Sequence, residues 1–213
     1  IDETNVNTVK LAGDIIISSS LTVRRTVTLD LNGHVLKYES ANEGSVIVVE
    51  NGGQLTIEDS NTSNLSHKFN PNGKLWVLDE ANGKETVTGG IITGGKAQNG
   101  GGVYVAPGGK LHMTGGSIVG CQAGHGGGVY LDNNDQTGEP SKFTMTSSRI
   151  IGCTASGHGG GVAVNPKCTF TMDNDSEIRS CTARLGGGVY TNNNGTNGPG
   201  VFTLRNGAIL SCT

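Results

Sequence analysis

Large aromatic side chains are scarce in this 213-residue sequence, which holds four Phe, four Tyr and one Trp. A single thick core built around rings is therefore not expected, and many thin repeated layers are the alternative. Charge is sparse as well. Fifteen Lys and Arg against 18 Asp and Glu leave a net charge of −3 with neutral His, so no basic surface argues for nucleic acid. There is no run of 18 apolar residues, hence no candidate membrane span in this segment. No stretch sustains a 3.6-residue apolar period, which argues against helices. The opening residues IDETN do not form a charged-then-apolar leader, and the expectation is a mature chain or an excised piece. Glycine is the exception to this poverty, at 36 residues with only 5 Pro. That share lies below the one third of a collagen repeat, and the combined Gly and Pro share is too low for a disordered Gly/Pro chain.

The glycines mark a repeat. GGG followed by Val occurs four times, ending at Val103, Val129, Val162 and Val189, with spacings of 26, 33 and 27 residues. Each copy continues with an apolar-x-apolar pair: Leu111/Met113, Phe143/Met145, Phe170/Met172 and Phe202/Leu204. An isoleucine follows at Ile118, Ile150, Ile178 and Ile209, and three positions later a cysteine, at Cys121, Cys153, Cys181 and Cys212. Length varies only in Asn/Gly/Pro-rich stretches such as DNNDQTGEPS. Within a unit, V-Y-V, L-H-M and F-T-M alternate with period two, the pattern of short half-buried strands. Such a unit cannot bury its inward side chains alone, so stacking at the strand spacing of about 4.8 Å predicts an all-β parallel solenoid, with three short strands per coil and roughly eight coils. A sandwich or propeller fits less well, because propeller blades need about 40–50 residues each. One domain spans 1–213: N-terminal coils and cap to residue 60, an inserted excursion over 61–84, and regular coils over 85–213. In this alignment Val87 matches Met113 and Ile92 matches Ile118.

The segments LDLNG and QLTIEDS, followed by repeated GGGVY…G-x-I-x-x-C, resemble right-handed parallel β-helix regions of the pectin-lyase-like superfamily. The likeness is to those found in large bacterial adhesin-like cell-surface proteins. GGGVY is also similar to the GGA[I/L/V] repeats of chlamydial polymorphic outer-membrane proteins, although their FxxN companion motif is absent. The resemblance implies an extracellular, cell-surface location and further domains of the same polypeptide. It is specific for fold and much less so for activity. The last residues, NGAILSCT, stand mid-repeat, and the expectation is that the natural polypeptide continues or that this end pairs with another molecule.

Several side chains invite a functional reading. In GGGVYV the valines face inward, so Tyr104, Tyr130 and Tyr190 form an outward stripe interrupted by Ala163. Tyrosine rings with free hydroxyls are good platforms for sugars or protein partners, and these three are the candidate ligand-binding residues. The bland alternative is aromatic packing that shields the sheet. The four repeated cysteines should form a ladder of reduced thiols that fills the core, with Cys168 outside it. His125 and His158 precede GGGV in adjacent coils, but Leu185 breaks the series, which favours a corner ladder over a metal contact. Asp173, Asp175 and Glu177 offer a few oxygens, fewer than the six to eight a calcium site takes, and a polar turn is the simpler reading. No metal or cofactor is expected.

A polysaccharide-cleaving β-helix should gather carboxylates from neighbouring coils on one face. The position after Met113, Met145, Met172 and Leu204 instead holds Thr114, Thr146, Asp173 and Arg205. Asp30, Glu50, Glu58 and Asp59 are the remaining carboxylates with scope to converge. The leading expectation is a rigid adhesive scaffold without catalytic residues. It would present loops such as DNNDQTGEP and NNNGTNGPG, and a glycan along the tyrosines, to a host or matrix ligand. A polysaccharide lyase or glycoside hydrolase, and a pure spacer, are the alternatives.

Overall fold

Successive units stack as the period-two pattern requires. The structure, a computed structural model, describes residues 7–133, 139–193, 195 and 198–213. Among these every regular element is a strand. Two seven-stranded sheets and one six-stranded sheet, all parallel, form the long faces of a β-solenoid. The first face runs from Asn7–Lys10 to Val201–Leu204, the second from Ile15–Ile17 to Gly207–Leu210, and the third from Leu21–Val23 to Val189–Thr191. This amounts to six complete turns plus two strands of a seventh, fewer than the eight that chain length suggests. The difference lies in residues spent outside the coils, in an excursion and in the long loops that follow the third face.

Register is strict. Ile57, Met113, Met145, Met172 and Leu204 stand in one column, and Leu55, Leu111, Phe143, Phe170 and Phe202 in another. Phe143, Phe170 and Phe202 stack with centroids 4.7 and 5.0 Å apart. On the second face Leu36, Ile92, Ile118, Ile150, Ile178 and Ile209 form the matching column. Few rings suffice because each layer is filled by one side chain from each of these columns, and burying each large one contributes about 1.5–3 kcal/mol.

A fourth strand, absent from the sequence expectation of three per coil, appears from the third coil onward. Lys96–Asn99, Gln122–His125, Thr154–His158 and Thr182–Leu185 make a parallel side sheet. These segments carry no apolar alternation, since they are held by backbone pairing outside the main core, and hydrophobic periodicity is blind to them. The chain returns from the side sheet through the GGG corner. The first glycine of each triplet, Gly100, Gly126, Gly159 or Gly186, has φ between 62° and 67°, and the other two pack directly against the next coil.

The excursion is a three-stranded antiparallel sheet of Ser66–Asn72, Leu75–Leu78 and Glu85–Thr88. Glu85–Thr88 therefore belongs to it, and Val87 pairs with His67; Met113 takes Ile57 as its partner instead. The TVTGG segment copies the local pattern of MTGGS but enters an antiparallel pairing, which a pattern match does not distinguish. Ile92 does pair with Ile118. The excursion lies on the outer side of the second face, where Phe69, Trp76 and Val87 cover Val35, Ile91, Val119 and Ile151 in a second apolar cluster. Polar contacts tie it down. The His67 ring reaches Glu80 and the Gly33 carbonyl, each at 2.8 Å, and the Asp59 carboxylate accepts from Gly33 N at 2.6 Å and Gly90 N at 2.7 Å.

The residue before each repeated cysteine records this docking. Gly120 and Gly152 lie under Trp76: a Cβ on Gly120 would stand 1.7 Å from the Trp76 carbonyl oxygen, and one on Gly152 2.1 Å from the indole ring. One coil further on, where the excursion has ended, the same position is Ser180 with φ 55°, and after it Ser211 with φ 52°. The left-handed conformation is thus tolerated by serine, and the glycines answer to Trp76 alone. Arg179 completes the contact, its guanidinium 4.8 Å above the ring. Trp76→Ala should cost about 3–5 kcal/mol. Gly152→Ser should red-shift the single-tryptophan fluorescence and destabilise the chain, yet be nearly neutral in a Trp76→Ala background. Additive effects in urea denaturation would refute the coupling.

Candidate functional site

The side sheet forms the floor of an open groove of about 870 Å³ that runs along the solenoid across four coils. Its register sets the lining in rows. Lys96, Gln122, Thr154 and Thr182 form one row, and Ala97, Ala123, Ala155 and Ala183 the next. Gln98, Gly124, Ser156 and Arg184 also line it. Glycine at 124 leaves room for the Gln98 side chain, because a Cβ there would lie 2.8 Å from Gln98 Nε2. The fifth coil carries one residue more than the fourth, and the register shifts between Ala155 and His158. The added Gly157 lies beneath the His125 ring, 2.6 Å from where its own Cβ would be.

Two walls rise beside this floor. Asn72, Lys74 and Leu75 come from the excursion hairpin, and Glu43 from the loop that pairs Gly44 with Lys96. Lys96 Nζ stands 2.9 Å from Glu43 Oε1. Among the described residues the lining has three cationic side chains, Lys74, Lys96 and Arg184, against the single carboxylate Glu43, on a chain whose net charge is −3. It is a hydrogen-bonding surface of hydroxyls, amides and cations over small apolar methyls.

The predicted tyrosines lie around the glycine corner from this groove, and the structure gives them partners. Tyr104 and Tyr130 stack with centroids 5.9 Å apart and planes 12° from parallel. The Tyr104 hydroxyl donates to Asp132 Oδ2 at 2.6 Å, while the Tyr130 oxygen accepts from Asn165 Nδ2 at 2.7 Å. Asn165 also donates to Asp132 Oδ1 at 3.2 Å. Burial, reinforced by the Asp132 carboxylate, raises the Tyr104 hydroxyl far above its ordinary pKa, and burial raises Tyr130 too. The premise of free hydroxyls therefore fails for these two. Tyr190 is separated from them by Ala163 and instead stacks on His158 at 4.5 Å, and His158 on His125 at 4.8 Å. Burial lowers the His158 pKa, and the neighbouring His125 and Arg184 lower it further.

The candidate carboxylates are dispersed. Asp30 and Glu58 face each other in register, but Asp30 is buried and accepts from Ser60 N and Oγ and from Asn32 N. Burial pushes the Asp30 pKa up, and these bonds together with Lys10 outweigh it and hold the carboxyl below its usual range. Glu50 makes a two-pronged pair with Arg24 at 2.7 and 3.0 Å, and Asp59 anchors the excursion. Asp173 lies 3.7 Å from Arg205, and Glu177 3.4 Å from Arg179; Asp175 occupies a turn with φ 56°. The loops offered for ligand presentation fall partly at 134–138 and at 194, 196 and 197, outside the described residues.

Sequence reasoning passed over the groove, although a signal existed. The two positions after Cys121, Cys153 and Cys181 read Gln-Ala, Thr-Ala and Thr-Ala in successive units, a polar-then-alanine row that strand alternation alone does not pick out. No family model, curated protein or solved structure matches this chain.

Tyr104→Phe removes a donor from the buried Asp132 carboxylate and should destabilise the chain by about 1–3 kcal/mol. An unchanged urea midpoint would show that the hydroxyl is free after all.

Proposed function

We propose that this chain is a rigid binding module of an extracellular surface protein, and that its side-sheet groove holds an extended glycan of a host or matrix. The observation that carries the reading is the groove itself, whose lining repeats coil by coil in line with the solenoid axis. A repeated lining suits a linear polymer, because successive coils offer like groups to successive units of the ligand. Hydroxyl, amide and guanidinium groups above an alanine floor are the donors and acceptors that sugar hydroxyls need. The stacked coils supply rigidity, so little ordering cost falls on the protein when ligand binds. The likeness of GGGVY…G-x-I-x-x-C to β-helix regions of adhesin-like proteins supports the surface location. In this reading the tyrosine network of Tyr104, Tyr130 and Asp132 stiffens the third face beside the groove, rather than serving as the platform.

A lyase or hydrolase needs a paired acid and base, and the one carboxylate lining the groove among the described residues, Glu43, is engaged by Lys96. A glycan array probed with the chain, with Arg184→Ala and with Gln122→Ala tests the proposal. Retention of a defined set of glycans is expected, with about tenfold weaker binding for Arg184→Ala, the effect of losing a charge-assisted hydrogen bond. Binding unaffected by both substitutions, or release of unsaturated or reducing ends from a polysaccharide, would overturn it.

A further inference from the structure

The four repeated cysteines form a column that the proposed binding function does not use. Thr154 N donates to the Cys121 carbonyl at 2.9 Å, Thr182 N to that of Cys153 at 2.9 Å, and Thr213 N to that of Cys181 at 3.0 Å. The backbones are thus in register at the cysteines themselves. Cys121, Cys153 and Cys181 are fully buried and belong to the main core with Ile118, Ile150 and Ile178. All are free thiols. Their sulfurs also make weak contacts to carbonyls, such as Cys153 Sγ to Ile151 O at 3.5 Å and Cys181 Sγ to Arg179 O at 3.4 Å.

Stacked side chains point the same way, so they cannot close a tetrahedron around one ion. Among the described residues no three ligating groups converge, which excludes the usual zinc arrangement. A parallel column does offer something else: two sulfurs on a line, one strand spacing of about 4.7–4.9 Å apart. A soft ion with metal–sulfur bonds of about 2.3 Å spans about 4.6 Å when two-coordinate and linear. Thiolate sulfur selects soft ions. The dry core then decides the charge. An unbalanced ion there costs tens of kcal/mol, so the assembled site must be neutral, which two thiolates achieve with a divalent ion.

We propose that the cysteine column is a linear, two-coordinate site for soft divalent d10 cations of the Hg²⁺ kind, one between Cys121 and Cys153 and one between Cys181 and Cys212. Each step is M²⁺ + 2 RSH → M(SR)₂ + 2 H⁺, in which two S–H bonds break, two metal–sulfur bonds form and no electron is transferred. Each ion displaces two thiol protons, so uptake weakens as pH falls, by about a hundredfold per unit where both thiols start protonated. Cys168 lies outside the column beside Ser141, at 3.3 Å.

The test uses the full chain as Cys168→Ser, which leaves only the column, titrated anaerobically with HgCl₂. Native mass spectrometry should show two ions bound, a pH-stat four protons released, and X-ray absorption two sulfurs about each mercury. Cys153→Ser in the same background should retain one bridged ion, at Cys181 and Cys212. Four ions per chain, one sulfur per mercury, no uptake by the folded chain, or equal uptake of Zn²⁺ would each overturn the proposal. The absorption spectrum of the unsubstituted column decides the matter even where the Cys153 variant fails to fold.

Discussion

At the corner between the side sheet and the third face, backbone rests directly on backbone. A Cβ on Gly101, Gly127, Gly160 or Gly187 would stand 2.3–2.4 Å from a carbonyl oxygen of the following coil. The third glycine of each triplet is no freer, since a Cβ on Gly128 would meet Gly161 O at 2.7 Å and the Ile150 side chain at the same distance. This contact lets amide and carbonyl groups bond from coil to coil through the turn, as in Gly127 N to Gly159 O at 3.0 Å and Gly160 N to Gly186 O at 3.2 Å. A buried corner that kept side chains would leave those groups unpaired, at about 1–3 kcal/mol each.

The other features depend on that closeness. Because the coils meet at strand spacing even where the chain turns, equivalent residues stay in columns around the whole circumference. The phenylalanine stack, the thiol column and the alanine floor of the groove are all consequences of one register. The side sheet is held out from the core by the pinch of the glycine corner, so its exposed rows can be polar without disturbing the packing inside. The excursion adds a wall to the groove and at the same time covers outward apolar residues of the second face, Val119 and Ile151 among them.

Much of this was legible from residues alone. The recurrent positions identify a parallel stack and its inward columns, and the Ile92 to Ile118 pairing follows from them. What hydrophobic spacing missed was held by something other than apolar burial. The side-sheet strands pair through backbone and carry Gln, Thr, Ala and Gly, so period-two reasoning passes over them. Val87 was misplaced because TVTGG has the local pattern of a coil while its partner, His67, lies in a hairpin. The tyrosine stripe was correctly set outward, but its hydrogen bonds to Asp132 and Asn165 depend on residues 28 and 35 positions away, which no local motif reveals. The glycines before the cysteines carried a readable message about Trp76, the change from Gly to Ser along the repeat, whose meaning emerges only once the excursion is seen to end there.

The register of the coils depends on the absence of side chains at the corner. Gly160→Ala compared with Gly13→Ala, where an added Cβ meets nothing within 4 Å, tests it most directly by urea denaturation. The alanine at 160 should cost at least about 2 kcal/mol, while that at 13 stays within about 0.5 kcal/mol of the parent. Equal midpoints for the two variants would mean that the triplet glycines are a matter of composition and that the coils are held in register by the core alone.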